Sequence, residues 1–243
     1  MFVPFLEWRK EKGADNALSQ VKLEDEALLK EKYKHGYHGT DNEGRPFYFD
    51  CPGRVKIDSL LDRVNEEKMN DYYMREYERL IHHRLPAASK AAGKDIETSF
   101  SVLDMTGFSM GSLNKKTIGF VKLAIKMGQN YYPEIMHEMF IINCPLMFRA
   151  AYKMFKPFID EKTRSKIHIR GGSFDDLFER VPKENVPKFI GGDCMCGGTE
   201  EGCNYSNLGP WNDFPGDEFA EAQFAILRAE EEHKKPEGDE PGA

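Results

Sequence analysis

The residue pattern predicts an α/β fold whose sheet is mostly parallel, and three observations carry that prediction. Residues Glu97 to Asp104 alternate, placing Ser99, Ser101 and Leu103 on one face and Phe100 and Val102 on the other. Met139-Phe140-Ile141-Ile142-Asn143 is a short apolar run of the kind found in strands covered on both sides. A helical stretch separates the two, which makes a βαβ unit with parallel strands. The hydroxyls of the first strand require an explanation. Either they satisfy local backbone groups, or they tip a cavity.

Taken in order, Phe2 to Lys12 reads as a helix ending at Gly13, with Phe5 and Trp8 on one side and Arg9 and Lys10 beside them. A short helical signal covers Asp25 to Lys32. Asp41 to Pro46 is a turn between Tyr37–Thr40 and Phe47–Phe49, giving a hairpin with an aromatic face. Ser59 to Arg84 shows helical spacing through Leu60, Val64, Tyr77 and Leu80, and Pro86 is expected to stop it. Tyr77 falls on the apolar stripe, where a phenol needs a partner. Ser109 or Ser112 is expected to cap a helix over Leu113 to Gly128.

After the apolar strand, a helix is expected from Pro145 to Phe158. Phe148, Ala151, Tyr152, Phe155 and Phe158 form its apolar side, and Arg149, Lys153 and Lys156 its basic one. Such a helix suits either an anionic membrane or an ordinary sheet surface. Lys166 to Arg170 reads as a third strand and Asp175 to Arg180 as a helical turn. A further helix over Glu218 to Glu232 leads into a charged tail expected to be disordered.

The chain has 243 residues, enough for one substantial core, and carries a formal net charge of −7, which argues against general nucleic-acid binding. No stretch reaches the roughly 20 apolar residues that span a bilayer, and the first residues lack the order of a secretory signal. Five cysteines suit a reducing cytosol better than a disulfide framework. Seventeen phenylalanines, ten tyrosines and eleven methionines can fill a core or line a cavity for an aliphatic ligand.

Cys194-x-Cys196 with Cys203 invites a zinc reading, but no histidine at finger-like spacing follows, and His168 or Cys51 would complete the set only through the fold. The expectation is no metal. Nucleophile-elbow, phosphate-loop and zinc-protease motifs are missing, so no catalytic residue is nominated. Asp104 with a histidine is the weak enzymatic alternative.

Six strings meet a known family: Thr40-Asp-x-x-Gly-Arg-Pro46, Arg84-Leu-Pro-Ala, Gln129-Asn-Tyr-Tyr-Pro-Glu134, Ile141-Ile-Asn143, Phe155-Lys-Pro-Phe158 and Leu208-Gly-Pro-Trp211. In this order they resemble the Sec14-like (CRAL-TRIO) lipid-transfer proteins, in particular the fungal phosphatidylinositol/phosphatidylcholine transfer proteins. The resemblance implies a hydrophobic cavity floored by the sheet and closed by a gate helix at Pro145–Phe158. It puts the phosphatidylinositol headgroup on Arg9, Lys10, Glu134, Thr163 and Lys166, and the phosphatidylcholine headgroup on Ser99, Ser101 and Tyr77. Phe148, Tyr152, Lys153, Phe155 and Phe158 would form the working faces of the gate.

It further implies a monomeric carrier, not an enzyme, with bound phospholipid as cargo and no other cofactor. Such a carrier meets anionic membrane surfaces transiently, at Golgi or endosomal membranes on the cytoplasmic side, and presents phosphatidylinositol to lipid kinases. Residues 1–35 would be a remnant of the family's N-terminal helical domain, 36–215 the lipid-binding domain, and 216–243 a C-terminal helix and tail. Within the same fold, the alternative cargoes are a sterol, squalene, tocopherol or haem.

Overall fold

The sheet has five strands, β1 (His35–Thr40), β2 (Pro46–Asp50), β3 (Ser99–Asp104), β4 (Met136–Ile142) and β5 (Ile167–Ile169), and they lie side by side in chain order. The structure is a computed structural model that describes residues 2–21, 26–55 and 57–213. The expected C-terminal helix and tail lie outside the described residues. β1 and β2 pair antiparallel, and every later pair is parallel. The hairpin turn forms because the Asp41 carboxylate accepts from the backbone N–H groups of Glu43 and Arg45, at 2.9 and 2.8 Å.

Among the described residues, eleven α-helices connect and cover these strands: α1 (Phe2–Lys12), α2 (Ala17–Gln20), α3 (Glu26–Lys32), α4 (Ile57–Leu61), α5 (Glu66–Arg79), α6 (Leu85–Ala92), α7 (Lys115–Lys126), α8 (Phe148–Phe155), α9 (Glu161–Ser165), α10 (Asp175–Phe178) and α11 (Gly202–Tyr205). None of them is long and apolar enough to cross a membrane.

Three expectations about helices are corrected. The stretch from Ser59 to Arg84 is two helices rather than one, because the Asn65 side chain caps α5 by accepting from the Lys68 N–H. Pro86 does not stop the chain's helical course. A π-helical turn over Leu80–Arg84 precedes it, and Pro86 then occupies the first turn of α6, where its missing N–H costs nothing. The cap of α7 is Asn114, whose Oδ1 accepts from Lys116 and Thr117; Ser109 and Ser112 instead bond each other at 3.0 Å.

The two faces of the sheet differ. Phe47, Phe49, Phe100, Val102, Phe140 and Ile142 are packed on one face under Leu177, Val181, Val186 and Ile190. Each such side chain contributes about 1.5–3 kcal/mol by leaving water. On the other face the register lines up Tyr37, Tyr48, Ser101, Met139 and Ile167 across all five strands. Here α8 covers Ile141 with Phe148 and Ala151, while Leu103, Met139, Ile167 and Ile169 stay half-buried. This face is incompletely covered.

Candidate functional site

The N-terminal segments reach this second face from the side. Trp8 of α1 stacks on Tyr131 at 3.9 Å, and Ala14, Ala17, Leu29 and Tyr33 join Met69, Tyr72, Met127 and Tyr132 in one apolar cluster. Between α1, the α5–α6 junction and the loop before β4 lies a groove of about 520 Å³, lined mainly by Phe5, Ile81, Leu85, Ile96, Tyr131 and Pro133. Arg9 also borders it.

Of the residues expected at an inositol headgroup, Glu134 and Lys166 meet. Glu134, whose backbone adopts a φ of 66°, turns its exposed carboxylate toward two ammonium groups, Lys162 at 2.8 Å and Lys166 at 3.8 Å. The Lys162 hydrogen bond holds the Glu134 carboxyl below its usual range. Lys166 donates to the carbonyl of Met136 at 2.8 Å. Thr163 sits one turn away, where its N–H and hydroxyl both donate to Asp160, the cap of α9, at 2.8 and 2.6 Å.

Arg9 is placed differently. Its guanidinium donates to the buried Glu78 at 2.8 Å and is also bonded to Asp15. Tyr132 donates to the same Glu78 carboxylate at 2.7 Å, and burial together with that carboxylate raises its phenol. Arg9 therefore neutralises an interior acid and does not join the Glu134 group. Lys10 is exposed on the next turn position.

Ser99 and Ser101 are both buried on the incompletely covered face. The Tyr37 phenol nearby is raised above its ordinary value by burial. Tyr77 stacks on Tyr132 at 4.4 Å, its pKa pushed up to about 12 by burial. Tyr37 and Tyr48 are the phenols of β1 and β2 on the serines' face, and hairpin alternation was the signal that could have found them.

The expected gate is a helix of eight residues, α8, followed by a 3₁₀ turn at Lys156–Phe158. Phe148 and Phe155 point into the protein, and Tyr152 is half-buried. Lys153 is exposed, and Phe158 faces outward rather than inward, 45% exposed, with the Lys122 ammonium over its ring at 4.3 Å. Leu146 is 88% exposed at the start of this segment, with Met147 and Met154 exposed along it. Gln129 ties down the other end, donating to the Phe158 carbonyl and accepting from the Asp160 N–H, both at 2.7 Å. Lys162 and Gln129 were not singled out by the sequence reading, although Gln129 opens one of the quoted strings.

The cysteine loop also departs from expectation. The residue beside Cys194, Cys196 and Cys203 is His38 of β1, neither His168 nor Cys51. His168 lies against Phe140, and Cys51 is packed in the core.

Comparison with known proteins gives concordant results. The family model described as the CRAL/TRIO domain matches residues 30–192. A SEC14 cytosolic factor of Kluyveromyces lactis is 38% identical over 237 residues, which are 97% of this chain and 73% of that protein. That of Schizosaccharomyces pombe is 36% identical, covering 88% of this chain and 73% of its own. The Arabidopsis thaliana phosphatidylinositol/phosphatidylcholine transfer protein SFH7 is 34% identical, covering 88% of this chain and 39% of its own length. The crystal structure of Sfh5 superposes with a TM-score of 0.54 at 20% identity, over 70% of this chain and 59% of that one, a likeness of fold.

Proposed function

The chain belongs to the CRAL/TRIO domain family, and from that premise we propose that it is a phospholipid carrier exchanging phosphatidylinositol and phosphatidylcholine at membrane surfaces. One observation carries the reading. A half-covered apolar sheet face bearing the Ser99 and Ser101 hydroxyls lies under α8, whose outside is apolar and basic together. Aliphatic walls with a few polar groups suit a diacyl lipid, and exposed Leu146, Met147 and Met154 beside Arg149, Lys153 and Lys156 suit an anionic bilayer.

In this reading α8 is the gate, and the headgroups occupy separate places. Glu134, Lys166 and Thr163, joined by Lys162, offer charge and hydroxyl chemistry for an inositol phosphate. Ser99 and Ser101, with Tyr37 and Tyr77, would hold the choline lipid. Arg9 supports the first place indirectly, by fixing Glu78 and Tyr132, and Lys10 adds charge at its edge. The protein acts as a monomeric carrier rather than an enzyme, on the cytoplasmic face of Golgi or endosomal membranes, and can present phosphatidylinositol to lipid kinases. The names of its relatives in Arabidopsis thaliana support this choice of cargo.

The test is to extract and quantify lipids from purified variants whose folding is verified by circular dichroism. Lys166→Ala should lower phosphatidylinositol content about tenfold and spare phosphatidylcholine, since a charge-assisted contact is worth about 1.5–3 kcal/mol. Ser99→Ala combined with Ser101→Ala should do the reverse. Loss of both lipids together in either folded variant, or co-purification of a sterol, squalene, tocopherol or haem instead, would overturn the two-headgroup assignment.

A further inference from the structure

The segment from Gly191 to Cys203 has one large apolar side chain, Met195, and that one is 37% exposed. Burial of apolar surface therefore does not hold it in place. What the segment does bring together is three thiols and one imidazole. None of the four borders the groove or belongs to either headgroup set.

His38 is buried in β1, and its Nδ1 lies 2.8 Å from the backbone carbonyl of Asn185. A carbonyl only accepts, so Nδ1 carries the proton and Nε2 presents a lone pair. Nε2 faces the sulfurs of Cys196 at 3.2 Å and Cys194 at 3.6 Å, and those two sulfurs are 3.7 Å apart. With the Cys203 sulfur included, all four ligand atoms lie within 4.8 Å of one another.

Tetrahedral zinc, with Zn–S about 2.3 Å and Zn–N about 2.0–2.1 Å, separates its ligands by about 3.8 Å between sulfurs and about 3.6 Å between sulfur and nitrogen. The separations among His38, Cys194 and Cys196 fall close to those values, and the Cys203 sulfur lies within 4.8 Å of all three. A disulfide would need sulfurs about 2.05 Å apart, and all five cysteines are free.

We propose that Cys194, Cys196, Cys203 and His38 form a structural zinc site that pins the 191–203 segment to the edge strand β1. Three soft thiolates and one imidazole make a closed set that leaves no open position for chemistry, the character of a structural site. The surroundings are those of a metal knuckle. The Asn185 carbonyl fixes the imidazole from its far side, the role outer partners play at metal-bound histidines. The Cys196 N–H points at the Cys203 sulfur at 3.5 Å. Gly197 and Gly198 both have positive φ, 64° and 77°, turning the chain sharply after Cys196. A Cβ on Gly202 would lie 1.8 Å from the Cys196 carbonyl oxygen, so the two ligand-bearing turns are packed backbone to backbone.

The experiment measures metal on the full chain, purified under reducing conditions without chelator and then equilibrated with zinc alone. Elemental analysis should find one zinc per chain. Exchange for cobalt should give the intense visible bands of a tetrahedral site, with sulfur-to-cobalt charge transfer. Cys194→Ser and Cys203→Ser should lower zinc content at least tenfold, while Cys51→Ser and Cys144→Ser should keep it. His38→Cys should retain zinc and alter the cobalt spectrum, separating ligation from mere packing. The cobalt spectrum of the unaltered chain decides the matter even if a variant fails to fold. A reduced chain that takes up no zinc, a weak octahedral cobalt spectrum, or zinc that persists in both serine variants would overturn the proposal.

Discussion

Asp50 ends β2 in the interior, and its Oδ1 has no hydrogen-bond partner among the described residues. Burial pushes its carboxyl up to about 7, against the opposing pull of the Tyr33 phenol and the Lys30 ammonium. In the unfolded chain the value is about 3.9, so the folded state binds the proton more tightly. The stability this proton confers is complete below about pH 4 and is lost as pH rises through about 7. Asp50→Asn should therefore flatten the decline of the urea midpoint between about pH 5 and 8. Parallel curves for the two proteins would mean that the carboxyl is already ionised in the folded state. Arg9 makes a second case. Removing it as Arg9→Ala leaves the buried Glu78 with Tyr132 and His82 among the described residues, and should cost about 1.5–3 kcal/mol in chemical denaturation. A purely headgroup role would instead leave the stability of lipid-free protein unchanged. Residue types at Arg9 and Glu134 were readable in the sequence, but their partners were not. Glu78 lies 69 positions from Arg9, and no local pattern signals an interior acid so far away.

At the scale of elements, β3 was legible because its alternation is a period-two signal that helices do not share, and β4 because its apolar run is short and rich in Phe and Ile. α8 was legible for the matching reason, with Phe148, Ala151 and Phe155 recurring at spacings of three and four. Helix ends were less readable, since Asn114 and the two serines nearby are all competent caps and only packing selects one. The division of labour on α8 leads to a third prediction. Leu146 and Lys153 are exposed, so Leu146→Glu and Lys153→Glu should each change stability by no more than about 0.5 kcal/mol. Both should nevertheless weaken docking on vesicles containing phosphatidylserine, because a basic residue such as Lys153 contributes about 1 kcal/mol near such a surface and an apolar one such as Leu146 inserts into it where a carboxylate is repelled. Flotation on vesicles of increasing phosphatidylserine content measures this. Binding that ignores both substitutions would make α8 a plain cover for the sheet.

On the scale of the whole molecule, the sheet is a partition between a finished core and an unfinished one. The parallel pairing of its β3 and β4 could be anticipated, because a helix joins them. The meeting of His38 with cysteines more than 150 positions later could not, because it depends on how the 183–203 loop folds back over β1. The finished face should respond only to packing: Phe100→Ala, at a position 1% exposed, should cost about 3–5 kcal/mol whether or not lipid is present. The other face should respond to cargo. There Leu103, Met139, Ile167 and Ile169 retain contact with solvent, and a bound acyl chain would remove that contact in the folded state alone. A ligand that binds only the folded form stabilises it by about 2.7 kcal/mol at a hundredfold excess over its Kd. For a chain of this size that corresponds to a Tm rise of about 5–10 °C. Protein stripped of lipid by detergent exchange should therefore melt lower than protein reloaded from phosphatidylcholine vesicles. In Phe100→Ala the rise on reloading should be preserved, because the substituted side chain lies on the opposite face of the same strand. If stripped and reloaded proteins melt together, the half-covered face does not hold the lipid and the cargo lies elsewhere.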